Sequence, residues 1–299
     1  MKVSIIVSTY TIERFSDVIR CLNSIDNQTK KPHEILLVLD PVDSLVEFYR
    51  ENVKNARIVV SDSFGLSSAR NKGIMESRGE IIAFIDDDAW AEKDWIERIA
   101  RNFENENVFG VGGKIIPVFD SKRPIWLAEE LDWILGCTYK GMKEGEIRNP
   151  IGANMAFRRE AFKIAGFFKT EVGRYGKKLL GSEEAEFCLR LKKLKPDAKI
   201  VFDPSAVVYH RVPKSRCSLR YALKRAYYEG YSKSILNREF DLGVEKEYLR
   251  VLIKSFLSSS LKLRFSKSFG IAVVALSVGT GFISAKIFAK PLKDFKDKS

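Results

Sequence analysis

Three adjacent carboxylates, Asp86, Asp87 and Asp88, follow directly on the apolar residues 81–85. Carboxylates this close repel one another and call for a cation. Oxygen ligands of that kind suit Mg²⁺ or Mn²⁺, which commonly carry a phosphate as well. A continuous apolar run reads as a strand buried on both faces. Its polar end then emerges at the edge of a sheet, where open α/β sheets bind their ligands. A solvated acidic turn would carry the same three residues, so the surrounding elements have to decide between the two readings.

Those elements alternate. Residues 2–9 are a β-branched run read as a first buried strand, with its turn at residues 10–13. Val18, Ile19, Leu22 and Ile25 then recur at helical spacing. Residues 34–39 read as a second strand with Asp40 at its end, residues 45–52 as a short helix and residues 57–60 as a third strand. Ser67 or Ser68 is placed to cap a helix carrying Ala69, Arg70, Gly73 and Ile74, and Gly79 to stop it. A helix over residues 93–103 and a strand over 108–117 follow the acidic triplet. This alternation predicts an α/β fold with a parallel sheet built from βαβ units.

Farther on, residues 118–148 read as irregular, with Trp126 and Trp133 in an amphipathic stretch. Residues 152–162 read as a strand running into a helix. Residues 166–181 are a glycine- and lysine-rich loop able to move. Residues 182–194 form a helix with Ser182 as N-cap and acids in its first turn. Residues 199–209 supply one or two strands ending at His210.

Composition is ordinary for a globular protein of 299 residues, with 45% hydrophobic and 30% charged residues. Cys21, Cys137, Cys188 and Cys217 have no CxxC spacing, and with no signal-like start they read as reduced thiols in a cytosolic compartment. Charges cancel over residues 1–204, so the whole net charge of +12 sits in the last third. There, basic residues interleave with tyrosines over 218–238, and residues 269–285 carry no charge. That pattern suggests an anionic surface. The uncharged run is short for a membrane span and diluted by glycines, and a helix buried against the domain would look the same.

Taken in order, the motifs VSIIVSTY with Glu13, LLVLD ending at Asp40, SSARNKGIMESRGE, AFIDDDA, GANMAFRRE, GSEEAEFCLRL and His210 with Arg211 and Arg216 resemble the inverting glycosyltransferases of family 2. The resemblance covers roughly residues 1–216. It implies the GT-A fold: a Rossmann-like mixed, mainly parallel sheet flanked by helices. It divides the chain into a catalytic domain over 1–216, with a nucleotide-sugar-binding part (1–117) and an acceptor-binding part (118–216), and a membrane-associating region over 217–299. By the same resemblance, Thr9, Tyr10 and Glu13 touch the nucleotide base and ribose. Asp40 accepts a hydrogen bond from the base, uridine being favoured, as suits an acceptor-only carboxylate. Arg70 reaches the diphosphate or the base edge, with Asn71 and Gly73 shaping the helix beneath. Asp86 and Asp88 form the D-x-D pair, Asp86 near the ribose and Asp88 on a Mn²⁺ or Mg²⁺ ion. Asp87 counts among the nucleotide-sugar-binding positions, although neighbours at a strand end face opposite ways. Glu184 is the catalytic base, with Glu183 as its alternative; the family more often has Glu-Asp here. His210 is a third metal ligand or a diphosphate contact beside Arg211 and Arg216, and Arg190 pairs with a phosphate or holds a loop.

Each role has a plainer counterpart. Thr9 and Tyr10 could end a strand, Asp40 could be a turn aspartate, Arg70 a surface cation, His210 a structural residue, and the glutamates mere helix-start acids. The function implied is a metal-dependent inverting transfer from a nucleotide-sugar donor, preferably a UDP-sugar, to a lipid-linked acceptor at the cytosolic membrane face. The basic third would attach by lying in the interface. A full span would put a lysine-rich tail on the wrong side. A soluble or polysaccharide acceptor and a non-catalytic scaffold are the alternatives. Nucleic acid is not an expected partner, since no recognisable motif for it is present.

Overall fold

A computed structural model describes residues 1–170, 182–240 and 246–288. Its first half is built of short alternating elements: β1 (Val3–Thr9), α1 (Phe15–Asp26), β2 (Glu34–Leu39), α2 (Asp43–Asn52), β3 (Arg57–Val60), α3 (Leu66–Glu76), β4 (Ile81–Asp86), β5 (Ala89–Ala91) and α4 (Trp95–Asn102). The second half holds β6 (Val108–Phe119), β7 (Gly145–Glu146), β8 (Asn154–Arg158), α5 (Arg159–Ala165), α6 (Glu183–Leu194), β9 (Lys199–Val212), α7 (Leu219–Leu236), α8 (Lys246–Leu261) and α9 (Phe265–Phe288).

The strands form one sheet in the order β3-β2-β1-β4-β8-β6-β9-β5, with β7 on β9. β1, β2, β3 and β4 are mutually parallel. β8 runs antiparallel to both β4 and β6. The sheet is therefore mixed, where the alternating pattern alone predicted a parallel one. The apolar residues of β1, β2 and β4 are nearly all fully buried because helices cover both faces. Val3, Ile5 and Val7 pack with α1, α2 and α4, and Ile6, Leu36 and Phe84 with α3, α5 and α6.

Two local expectations are corrected. The residue capping α3 is Gly65, at φ 108°, a conformation glycine adopts readily. Ser67 lies inside the first turn with its hydroxyl enclosed. Gly79 is not the helix stop; it passes so close to β1 that a Cβ would lie 2.6 Å from the Ser4 backbone nitrogen.

β9 is one strand, not two, and His210 lies within it, opposite Ala89 and Pro117. A register shift between Gly113 and Lys114 lets β9 bulge beside β6. Asn154 braces the bulge, donating to the carbonyls of Lys114 (3.0 Å) and Ala206 (2.9 Å) while accepting from Trp95 Nε1 (2.8 Å). The bulge sets the face on which His210 emerges.

The C-terminal helices are packed on this sheet domain. Ala222 and Ala226 of α7 and Ile271 and Val274 of α9 share a third cluster with Ile115, Leu131 and Ile134. Residues 118–148 are less irregular than expected, since Glu129–Leu135 is a 3₁₀ helix within that cluster.

Candidate active site

Parallel pairing places the carboxyl ends of β1, β2 and β4 side by side, with Thr9 opposite Leu39 and Ser8 opposite Asp86. Thr9, Asp40 and Asp86 thus share one sheet edge. Asp86, Asp88 and His210 come together there, each with one ligand atom within 4.8 Å of the others. Two carboxylate oxygens and an imidazole are a donor set that suits Mn²⁺ and similar divalent ions, so the residues fit such an ion. Asp86 is half-buried; Asp88 and His210 are buried.

Asp88 is ringed by cationic or imidazole nitrogens. His210 Nε2 is 3.1 Å from its Oδ1, while Arg14 and Arg216 approach its Oδ2 at 3.4 and 3.6 Å. Burial pushes this carboxyl up, but His210, Arg14 and Arg216 hold it well below the usual carboxylate range. Asp87 is enclosed, and Arg14 donates to it at 2.5 Å. Burial raises its carboxyl against the pull of Arg14. Asp87 therefore faces Arg14 and anchors it beneath Asp88. His210 Nδ1 lies 3.6 Å from Cys137 Sγ, which fixes the other side of the ring.

Arg70 links this edge to α6. Its buried guanidinium lies 3.6 Å from Asp86, and it donates to Glu183 at 3.3 Å and to Glu184 at 3.0 Å. Burial would lower its pKa, but Glu184, Glu183 and Asp86 raise it. Phe84 and Phe168 face the guanidinium at 6.0 Å. Arg70 is thus committed to three carboxylates. Gly152 lets the group assemble: a Cβ there would sit 2.5 Å from Arg70 Nη2 and closer still to Glu184 Oε1. Ser182 does occupy the N-cap of α6, but at φ 104° and without a side-chain hydrogen bond to the helix.

The other predicted residues divide clearly. Tyr10 is exposed, with Arg14 stacked 5.3 Å over its ring, and Glu13 sits in the adjoining 3₁₀ turn. Asp40 accepts from the Gly65 N–H at 3.4 Å, and burial raises its carboxyl. Arg190 turns to Glu186 and to the Phe167 carbonyl at 2.8 Å, so it holds a loop. Arg211 pairs with Asp17 and Asp120, away from the acidic cluster. Asn71 also secures the loop, exchanging two hydrogen bonds with the Phe168 backbone. Most of loop 166–181 lies outside the described residues. Sequence reasoning missed Arg14 and Gly152. Arg14 follows directly on Glu13, and Gly152 opens the small-residue start of β8, but neither signal is specific alone.

A cavity of about 770 Å³ opens beside this group. Arg70, Asp86, Glu183 and Glu184 line one end. The rest is walled by Trp133, Tyr139 and the Arg148–Ala153 stretch, and by residues of α7, α8 and α9. Trp133 Nε1 donates to Tyr248 Oη at 2.5 Å, joining the 3₁₀ helix to α8.

These features recur in known proteins. The chain is 29% identical to a glucosyl-dolichyl phosphate glucuronosyltransferase of Haloferax volcanii, over 95% of this chain and 96% of that one. It is 27% identical to the succinoglycan biosynthesis protein ExoM of Rhizobium meliloti, over 61% of this chain and 56% of that one. A crystal structure of GalNAc-T7 with UDP, GalNAc and Mn²⁺ superposes with a TM-score of 0.55 at 14% identity, covering 79% of this chain and 50% of that one. The family profile described as Glycosyl transferase family 2 matches residues 4–164, from β1 to the end of α5. With that match over more than half of its length, and with the GT-A fold seen here, the chain belongs to the family 2 glycosyltransferases.

Proposed function

We propose that this glycosyltransferase moves a sugar, with inversion, from a nucleotide-sugar donor to a lipid-linked acceptor at the cytosolic membrane face. UDP-sugars are the favoured donors. One observation carries the reading. Arg70 bridges Asp86, at the donor edge of the sheet, to Glu184, on a cavity that opens toward the apolar C-terminal helices. Donor and acceptor ends of a transfer reaction are thus joined by a single guanidinium.

The donor nucleotide lies across the carboxyl ends of β1 and β2, with Thr9, Tyr10 and Glu13 at the base and ribose and Asp40 accepting from the base. Asp86, Asp88 and His210 would hold a divalent ion, which supplies charge neutralisation for the diphosphate. Arg14 and Arg216, already beside Asp88, add fixed positive charge where the leaving group develops negative charge. Preorganised charge of this kind is commonly the largest catalytic contribution. Glu184 takes the proton of the acceptor hydroxyl as its oxygen bonds to the anomeric carbon. The bond from that carbon to the diphosphate oxygen breaks on the opposite side. Arg70 orients Glu184, and Glu183 shares the same guanidinium.

Membrane attachment through α8 and α9 would bring the cavity to a lipid substrate. Leu249, Ile253, Leu257 and Leu261 of α8 and Phe265, Phe269, Leu276 and Ile283 of α9 are exposed. Arg250, Lys254, Lys262, Arg264 and Lys267 accompany them. A basic, apolar-faced pair of helices suits an anionic interface. The Haloferax protein's name, with its dolichyl phosphate, favours the same acceptor class.

The test is transfer by purified protein in detergent across UDP- and GDP-sugars, with Mn²⁺ or Mg²⁺ and polyprenyl-phosphate-linked acceptors. Glu184→Gln should lower turnover by roughly 10²–10⁴-fold, the usual contribution of a general base, and Asp88→Asn should raise the metal concentration required. Transfer only to soluble glycans would overturn the lipid acceptor. Wild-type turnover in Glu184→Gln would overturn the assigned base.

A further inference from the structure

The cavity has a second charged group, distant in sequence from the acidic edge. Arg225, Glu229 and Lys233 stand one turn apart on α7 and all face the cavity. Arg225 Nη1 lies 3.1 Å from Glu229, and Lys233 Nζ lies 3.5 Å from it. Arg148 lines the same cavity from the loop before β8. Burial would raise the Glu229 carboxyl, but Lys233, Arg225 and Arg148 hold it below its ordinary value. The three cations therefore surround one carboxylate.

That imbalance is informative. Enclosed charges are costly unless paired and hydrogen-bonded, and here cations outnumber the local carboxylate three to one. The Nε of Arg225 is enclosed and has no hydrogen-bond acceptor among the described residues. A guanidinium presents a fork of donors that matches phosphate oxygens. The opposite wall is apolar, with Leu249 and Leu252 of α8 and Val274 and Val278 of α9. A ligand fitting both walls is an anion carrying a hydrocarbon chain.

The donor's diphosphate does not account for this group. The cations suited to it, Arg14 and Arg216, gather around Asp88 and do not line the cavity. Glu184 stands between the two cationic groups, at the Arg70 end of the cavity. A carboxylate base is needed when the attacking group is a hydroxyl; an ionised phosphate oxygen needs none. We propose that Arg148, Arg225 and Lys233, set around Glu229, seat the phosphate of a lipid-phosphate-linked sugar, whose hydroxyl reaches Glu184 and whose chain runs along α8 and α9. The phosphate seat stands on the cavity alone; its assignment to the acceptor rests on the function proposed above.

Direct binding tests the seat without turnover. Farnesyl phosphate, farnesol and inorganic phosphate are titrated by equilibrium dialysis into the full chain in dodecyl maltoside, with no donor present. Wild-type protein should bind farnesyl phosphate at least tenfold more tightly than either farnesol or inorganic phosphate. Arg225→Gln and Lys233→Gln should each bring farnesyl phosphate down to about the farnesol level, while the exposed Lys192→Gln leaves it unchanged. Arg148→Gln, on a loop, gives the same reading if a helix variant fails to fold, as judged by its melting curve. Equal binding of farnesol and farnesyl phosphate would overturn the seat, as would variants that bind like wild type. Inorganic phosphate binding as tightly as the lipid would overturn the lipid assignment. If the seat stands but no lipid-linked sugar is ever glycosylated, the proposed function fails and the binding site does not.

Discussion

Gly152→Ala adds three hydrogens and one carbon, and the structure says where they go. The new Cβ would lie 2.5 Å from Arg70 Nη2, against an ordinary contact beginning at 3.4 Å. Glu184 Oε1 is nearer still. Arg70 is buried and held by three carboxylates, so it has little freedom to swing aside. Glu184 must yield, by about 1 Å. A reacting group displaced by about 1 Å can lose around 10²-fold in rate, so kcat should fall by roughly that factor. The φ of Gly152 lies outside the left-handed region, and alanine meets no backbone penalty there. Melting temperature should therefore change far less than activity.

The assay is steady-state transfer with donor and acceptor varied separately. The fall should appear in kcat, with donor KM within about threefold, because the displaced group contacts the acceptor hydroxyl. Adding Glu184→Asp, one methylene shorter, to Gly152→Ala should recover part of the loss, whereas Glu184→Asp alone should be slower than wild type. A Gly152→Ala enzyme within twofold of wild-type kcat would refute the reasoning. So would a double variant slower than both singles, since the steric conflict would then not be the cause.

Three other perturbations bear on separate parts of the molecule. Arg14→Met leaves Asp87 buried without its cation and should cost about 3 kcal/mol in urea denaturation, as breaking buried ion pairs does; adding Asp87→Asn should restore most of it. Glu229→Gln should melt below wild type at pH 7, because the Glu229 carboxyl is held under its ordinary 4.5 in the folded chain. That contribution is present above the unfolded value and fades as pH falls through the folded one, so the gap should close in melting curves at pH 3–4. Leu261→Glu with Phe265→Glu, both at exposed apolar positions, should weaken flotation with anionic liposomes several-fold without lowering the melting temperature.

How much of this was legible depends on whether a role is local. The strand ends were readable because apolar runs stop abruptly at Thr9, Asp40 and Asp86, and the run of β4 carries its acids at the register that parallel pairing exposes. The meeting of Asp88 with His210 was not, because it depends on the β9 bulge, set by Gly113 and Asn154 far from either residue. Asp87 reads as a ligand in the sequence and is an anchor in the fold, since only tertiary contact reveals that Arg14 claims it. Arg225, Glu229 and Lys233 are visible as a four-residue repeat. Read beside tyrosines and other cations, they pass for a membrane-facing surface; packing against α9 turns that face inward instead.

The same packing bears on the last apolar run, which the sequence leaves between a span and a buried helix. α9 has 24 residues, long and apolar enough to cross a bilayer. The glycines that dilute the run are where neighbours make contact. A Cβ at Gly281 would lie 2.8 Å from the Tyr227 carbonyl carbon, one at Gly230 equally close to that of Val278, and one at Gly270 3.0 Å from that of Trp126. These approaches bind one side of α9 to α7 and to the sheet domain. The apolar surface left over, at Phe269, Leu276, Ile283 and Ile287, is exposed. A helix apolar on one free side only, fastened along its length to a domain bearing charged residues, lacks the all-round apolar surface that a lone span presents to lipid. It suits a position in the interface, and that position would leave the cavity mouth level with the headgroups of a lipid-phosphate acceptor.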